Sequence, residues 1–259
     1  TAVGTVRVSD PSLFSPSPEN LTVVGGTLFF SATATGRGRE LWASDGTTLG
    51  TGLLRDINPG VSPSRPSALF AFGGELYFTA AGSGIGYELW KSDGTTSGTV
   101  LVRDINPGPL GSSPHNFVEM AGTLYFSAFS NQIWTTDGTS AGTTRVNVSS
   151  STTVDLATHL GLHALEDSFI FSADDGISGF ELWRSDGTDV GTYLLVDISP
   201  GTTSSNPRNF QVVGNRVLFE ANDGVHGEEL WITDGTVAGT RLLADIADPG
   251  GSNPNEMQT

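Results

Sequence analysis

Glu181-Leu182-Trp183-Arg184-Ser185-Asp186-Gly187-Thr188 decides the reading of this chain, because four more versions of it recur with the same neighbours on either side. They begin at Glu40, Glu88, Gln132 and Glu229. Each is followed two residues later by Trp42, Trp90, Trp134 or Trp231, which accounts for all five tryptophans. The tryptophans stand 48, 44, 49 and 48 residues apart, a spacing that belongs to propellers, solenoids and repeat arrays.

On either side of the motif, each unit offers four strands in all. A first strand near Leu21–Val24 meets a second, Leu28-Phe29-Phe30, across Gly25-Gly26. Later units use Gly73-Gly74, Ala121-Gly122, Glu166-Asp167 and Gly214-Asn215 at that place. Two-residue connections rich in glycine are the hairpin signature, since primed turns need positive φ. The second strand is apolar without alternation, as in Leu76-Tyr77-Phe78 and Phe169-Ile170-Phe171, so both of its faces must be buried. The motif is the third strand. Asp-Gly-Thr-x-x-Gly-Thr then turns the chain into a fourth, Leu53–Ile57, with counterparts at Leu101–Ile105, Leu194–Ile198 and Leu242–Ile246. One long connection follows before the cycle restarts, which is how propeller blades are joined.

The expected fold is therefore all-β, a five-bladed β-propeller with four antiparallel strands per blade and about 48 residues per repeat. The 259 residues form a single repeat domain, with units over 20–66, 67–114, 115–160, 161–207 and 208–254 after a partial preceding unit over 1–19. Thr5–Asp10 resembles a fourth strand and is expected to pair near Leu242–Ile246 if the ring closes. Asn253–Met257 resembles the opening of a sixth unit, so a linear stack within a longer chain is the rival arrangement.

Acidic residues outnumber basic ones 28 to 12, giving a net charge of −16, which argues against a nucleic-acid partner. No run of about 18 apolar residues is present, so no helix embeds the chain in a membrane. The absence of cysteine removes disulfide and thiol chemistry.

At Glu-Leu-Trp-x-x-Asp-Gly-Thr the chain resembles the ELWxxDGT repeat proteins, a bacterial, mostly secreted or surface-exposed group. The resemblance runs along nearly the whole chain, reinforced by Asp-Ile-x-Pro-Gly stretches. It implies an extracellular or cell-surface location and a binding or adhesion role toward glycans or cell-surface proteins. It carries no catalytic residues to transfer. The third unit departs from the pattern, with Gln132-Ile133 for Glu-Leu, a shortened preceding loop and no Asp-Ile-x-Pro-Gly.

Asp45, Asp93, Asp137, Asp186 and Asp234 occur once per unit, as a tight-turn residue does. A catalytic site needs its residues once. One tryptophan per unit at a fixed strand position reads as packing between blades, with sugar stacking as the alternative. The glutamate that opens the third strand should face the aspartate that closes the fourth, pairing Glu40 with Asp56, Glu88 with Asp104, Glu181 with Asp197 and Glu229 with Asp245. Facing like charges repel unless offset. Unit three replaces both at once, with Gln132 and Val148. Two readings are open. Either a cation, Ca²⁺ by its preference for oxygen ligands, sits between the acids, or each acid separately caps backbone amides.

On the same edge lie residues that differ from unit to unit: Arg37, Arg39, Tyr87, Asp174, Asp175, Phe180, Asp223 and His226. These are the candidate ligand-binding residues, because variation on a repeated scaffold is where specificity is placed. His115, His159 and His163 lack any partner at motif spacing and read as surface or packing residues. A lectin-like module with one weak site per blade is the leading function, with avidity from repetition. The alternatives are a glycoside hydrolase or lyase acting in the channel, and a structural spacer in a larger surface protein. An enzyme would show a polar inward residue unique to one unit, and no convincing acid pair of that kind is visible.

Overall fold

The computed structural model describes residues 17–129, 132–146, 155–156 and 161–245. Among them the regular structure is entirely β, in five antiparallel sheets each built from one repeat. Sheet one runs β1 (Glu19–Val24), β2 (Thr27–Thr33), β3 (Arg39–Ser44), β4 (Gly52–Arg55). Sheet two is β5 (Ser67–Phe72), β6 (Glu75–Ala81), β7 (Tyr87–Ser92), β8 (Val100–Arg103), and sheet three β9 (His115–Met120), β10 (Thr123–Ala128), β11 (Gln132–Thr136), β12 (Thr144–Arg145). In sheet four, β13 (Asp155–Leu156) and β14 (His163–Ala164) share the first position beside β15 (Phe169–Asp174), followed by β16 (Phe180–Ser185) and β17 (Tyr193–Val196). Sheet five is β18 (Arg208–Val213), β19 (Arg216–Asn222), β20 (Glu228–Thr233), β21 (Arg241–Ala244).

The chain divides into two compact units. One holds the residues up to His115 with Gly138–Thr143, the other Asn116–Asp137 with the residues from Thr144 onward. The expected pairing of Thr5–Asp10 with Leu242–Ile246, and the sixth-unit opening at Asn253–Met257, involve residues outside those described.

The tryptophans are equivalent. Trp42, Trp90, Trp134, Trp183 and Trp231 each lie opposite a phenylalanine of the second strand, namely Phe30, Phe78, Phe126, Phe171 and Phe219. Trp42, Trp90 and Trp183 are only 5–6% exposed, which removes them as sugar-stacking platforms and leaves packing as their role. The second strands are buried on both faces because alternate side chains point to opposite faces of a strand. In sheet four, Phe169 and Phe171 enter one core with Val118, Tyr125 and Trp183. Ile170 between them enters another with Val217 and Phe219. A third core joins Phe29 and Leu41 to Leu76, Phe78 and Trp90.

Two features are absent from the sequence pattern. The first strands are kinked by a bulge where Asn20, Ala68 and Asn209 take positive φ. A second bulge follows the motif leucine, so Leu41 faces Arg55 but Trp42 faces Leu53. The fourth strands consequently end before Asp56 and its equivalents, shorter than their apolar runs indicate.

Candidate functional site

The most regular polar feature is a joint between the third strand and the long connection after the fourth. Leu41 pairs with Arg55, which sets Glu40 opposite Asp56 one position on. Leu89 with Arg103, Leu182 with Val196 and Leu230 with Ala244 do the same for the other three pairs. Glu40, Glu88, Glu181 and Glu229 are all fully buried. Glu40 accepts hydrogen bonds from the amides of Ile57 (2.9 Å) and Ser64 (2.8 Å) and from the Ser64 hydroxyl. Glu181 repeats this with Ile198 (2.8 Å), Ser205 (2.7 Å) and the Ser205 hydroxyl. Glu88 uses Ile105, Asn106 and the Ser112 hydroxyl. The Ser64 and Ser205 carbonyls in turn accept the amides of Ala81 and Asn222 from the next sheet, so one carboxylate fixes a whole crossing.

Glycines make the close approach possible. A Cβ on Gly38 would lie 2.3 Å from the Cα of Pro63, and one on Gly86 2.4 Å from the Gly111 amide nitrogen. Burial pushes the Glu40, Glu88 and Glu181 carboxyls above their ordinary range. The hydrogen bonds oppose that, and repulsion from Asp56, Asp104 and Asp197 adds to it. One oxygen, Oδ1, of each of those three aspartates is buried without a hydrogen-bond partner. In unit three, Gln132 is half-buried, and Val148 lies outside the described residues. Asp245 is exposed.

The Asp-Gly-Thr turns are structural. Asp93 Oδ1 accepts the Thr95 amide (2.8 Å) and hydroxyl (2.7 Å), and the Thr95 hydroxyl accepts the Gly98 amide (2.9 Å). The Asp93 carboxylate lies so close to Gly98 that a Cβ there would be 2.0 Å from Oδ1, which explains the second glycine of the motif. Asp45, Asp186 and Asp234 repeat the bonding, which holds their carboxyls below the ordinary range.

The variable residues divide by role. Asp175 Oδ1 accepts the Ile177 and Ser178 amides, Asp174 the Gly176 amide, and Asp223 the Val225 and His226 amides while its Oδ2 lies 2.7 Å from His226 Nδ1. These four shape their own loops. Arg37 is ion-paired with Asp56. Arg39, Tyr87 and Phe180 open third strands and do not lie in loops. The Phe180 amide donates to Ser204 Oγ (2.9 Å).

Two of the eight come together. Arg39 and Tyr87 line a cavity of about 420 Å³ with Glu19, Asn20, Arg65 and Ser67, drawn from sheets one and two within one compact unit. Arg39 bonds Glu19 (3.2 Å) and the carbonyls of Ser17 and Ser31, and Asn20 Nδ2 donates to the Pro66 carbonyl (3.1 Å). Sequence reading misses Glu19, Asn20, Arg65 and Ser67, since nothing local marks them. Aligning the repeats also exposes a further residue. Where other sheets carry Ser31, Thr79, Ser127 and Ser172, sheet five carries Glu220, 1% exposed, bonded to Arg208 (3.2 Å) and with its Oε1 unpartnered. It is a buried acid found in one unit, and Arg208 bridges it to Glu228.

His163 is stacked on Phe210 at 4.7 Å, and burial lowers its pKa to about 4. It is a packing residue. His115 Nδ1 lies 2.9 Å from the Ser113 carbonyl, and His159 is outside the described residues.

Neither a family model nor a curated protein sequence matches this chain. Among solved structures it is similar to a puromycin hydrolase S511A mutant complexed with PGG, at 16% identity and a TM-score of 0.59, over 92% of this chain and 40% of that one. It is also similar to another puromycin hydrolase structure (14%, TM-score 0.56, 87% of this chain and 37% of that) and to a Mycobacterium tuberculosis puromycin-hydrolyzing peptidase (14%, TM-score 0.54, 93% and 40%). The chain thus spans about two fifths of the length of the structures it matches. At such identity the likeness concerns the fold alone, which is all-β and propeller-like.

Proposed function

We propose that this chain is an extracellular or cell-surface carbohydrate-binding module, with its five sheets acting as the blades of a five-bladed propeller. The observation that carries the reading is the cavity beside Tyr87, where polar groups of Asn20, Arg39, Arg65 and Ser67 converge next to an aromatic ring. The lining is mainly polar, with Pro66 and Tyr87 as its apolar members, which suits a ligand rich in hydroxyls. The propeller reading is supported by consecutive sheets sharing cores and by crossings that all follow the fourth strand. The surface location follows from the motif resemblance. The test is a glycan array probed with wild type and Tyr87→Ala, with melting curves to check folding. Binding by the wild type that falls at least tenfold in the variant is expected. Equal binding by both moves the site elsewhere.

A structural Ca²⁺ between the paired acids is a second reading, favoured by the orphaned Oδ1 atoms of Asp56, Asp104 and Asp197. The fit is partial. Among the described residues no three His, Cys, Asp or Glu side chains group as a metal site, so the chain would supply two carboxylates and water or carbonyls the rest of a 6–8 oxygen shell. The hydrolase or lyase alternative would centre on Glu220. A glycosidase screen beside the array separates it from binding alone.

A further inference from the structure

A cavity lies between sheets one and two, with Arg65 in its lining. We infer that it takes a carboxylate-bearing sugar, such as a uronate unit of an acidic polysaccharide or a terminal sialic acid, with the carboxylate on the Arg65 guanidinium and the ring against Tyr87. This rests on the carbohydrate reading above and narrows it to one class.

Arg65 has φ +47 and precedes Pro66, and each first strand is entered through the same step. Its equivalents Ser17, Ser113 and Asn206 also have positive φ and also precede proline. Positive φ is costly for side chains other than Gly, Asn and Asp, and its return at this step in four units makes it part of the fold and not of the arginine. The turn is served by serine or asparagine in the other units. It does not need arginine.

The chain carries 12 basic residues against 28 acidic ones. Arg37, Lys91, Arg184 and Arg208 each contact a carboxylate, and Arg55 donates to carbonyls of the next turn. Arg39, on the cavity wall, is held by Glu19 and two carbonyls. The Arg65 side chain makes no hydrogen bond or ion pair among the described residues, although its amide donates to the Arg39 carbonyl at 3.0 Å and so fixes the root of the side chain on the cavity rim. With Glu19 cancelling Arg39, the cavity keeps one positive charge in a molecule of net charge −16. A free planar fork matches a carboxylate bidentately, which a hydroxymethyl group does not do.

The remaining lining suits a sugar. The Asn20 amide group spends its donor on Pro66 and Ser31, leaving its carbonyl oxygen to accept a hydroxyl, and the Ser67 hydroxyl can donate or accept. A volume of about 420 Å³ is within the range of small-ligand sites.

The experiment is calorimetric titration with galacturonic acid and galactose, which differ in carrying a carboxylate or a hydroxymethyl group, and with their trimers and sialyllactose. Wild type, Arg65→Ser and Arg65→Lys are compared. Serine stands at the equivalent positions 17 and 113, so the Ser variant keeps the turn and should melt no lower than wild type. At least tenfold preference for an acidic sugar is expected in the wild type, lost in Arg65→Ser and partly kept in Arg65→Lys, weakening as salt rises. Which acid wins, galacturonate or sialic acid, identifies the source. Equal binding of acidic and neutral sugars, or an acid preference surviving in Arg65→Ser, overturns this inference and leaves the carbohydrate reading standing. No binding to any sugar overturns both.

Discussion

Sheets two and three are built from the same motif but keep different halves of it. Both set the tryptophan opposite a phenylalanine, and both close the turn through a threonine hydroxyl that accepts the amide of the following glycine, Gly98 or Gly142. Sheet two also has Gly86, the buried Glu88 and the connection from Ile105 to Ser112 that Glu88 binds. Sheet three has half-buried Gln132, a fourth strand of two residues, and no Asp-Ile-x-Pro-Gly in the sequence that follows. The eight-residue pattern therefore contains two separable devices. Asp-Gly-Thr closes a turn within the sheet and Leu-Trp packs into cores shared with a neighbouring sheet, while the leading Glu, with the Gly two residues before the pattern, ties that sheet to the connection after it. In unit three the two acids are missing together with the Asp-Ile-x-Pro-Gly sequence.

Removing the carboxylate where it is used should have the largest effect. Glu88→Ala leaves two amides and a hydroxyl buried without an acceptor and should cost about 3–5 kcal/mol in urea denaturation, while Gln132→Ala should cost under about 1 kcal/mol. Similar losses at both positions would mean the two sheets are joined alike.

The pH response sharpens the same contrast. Glu40, Glu88 and Glu181 have raised folded pKa values, so their contribution is full below the unfolded value near 4.5 and declines as pH rises through the folded one. His163 runs the other way. Its pKa is lowered to about 4 from an ordinary 6.5, so its contribution is full above 6.5 and is lost as pH falls to about 4, on the order of 3 kcal/mol. His163→Phe should abolish that acid-side loss in melting curves and uncover the opposite slope of the glutamate joints. A variant that keeps the wild-type slope would remove His163 from the account.

The smallest effect concerns the cation. If Ca²⁺ sits between Glu88 and Asp104, a tenfold excess over Kd stabilises by about 1.4 kcal/mol, and chelation should lower the melting temperature accordingly. Asp104→Asn should remove part of that response, and Gln132→Ala none of it. Indifference to chelator and to added Ca²⁺ would leave the glutamates as caps of backbone amides alone.

Much of the fold is legible in the sequence because it depends on period and turn chemistry. The apolar second strands, the Gly-Gly hairpins and the tryptophan column all rest on residues within a few positions of each other. The facing of Glu40 and Asp56 is legible too, since the turn length sets the register. The bulges are not, because Asn20 and Leu54 carry no mark distinguishing them from ordinary strand residues. The carboxylate's partners also escape a local reading, since Ser64 lies 24 residues from Glu40. A recurrent Glu and Ser-x-Pro at fixed spacing is the signal that could have found them. The cavity is the least legible feature: Arg39 and Arg65 meet only once the crossing is folded, and of its lining only Arg39 and Tyr87 stand out as variable residues.

The glutamate joint also fixes what can be inherited as a unit. Glu40 and Ser64, like Glu88 and Ser112 and like Glu181 and Ser205, keep one separation of 24 residues across the boundary between two sheets. A duplication cut at the end of a fourth strand would part each glutamate from its serine, whereas a block copied from one motif glutamate up to the next, as from Glu40 to Tyr87, carries a complete joint inside it. The crossing works as a ruler. The 24-residue separation is kept even where the tryptophan spacing shortens to 44, between Trp90 and Trp134, so length is lost after Ser112 and not inside the joint.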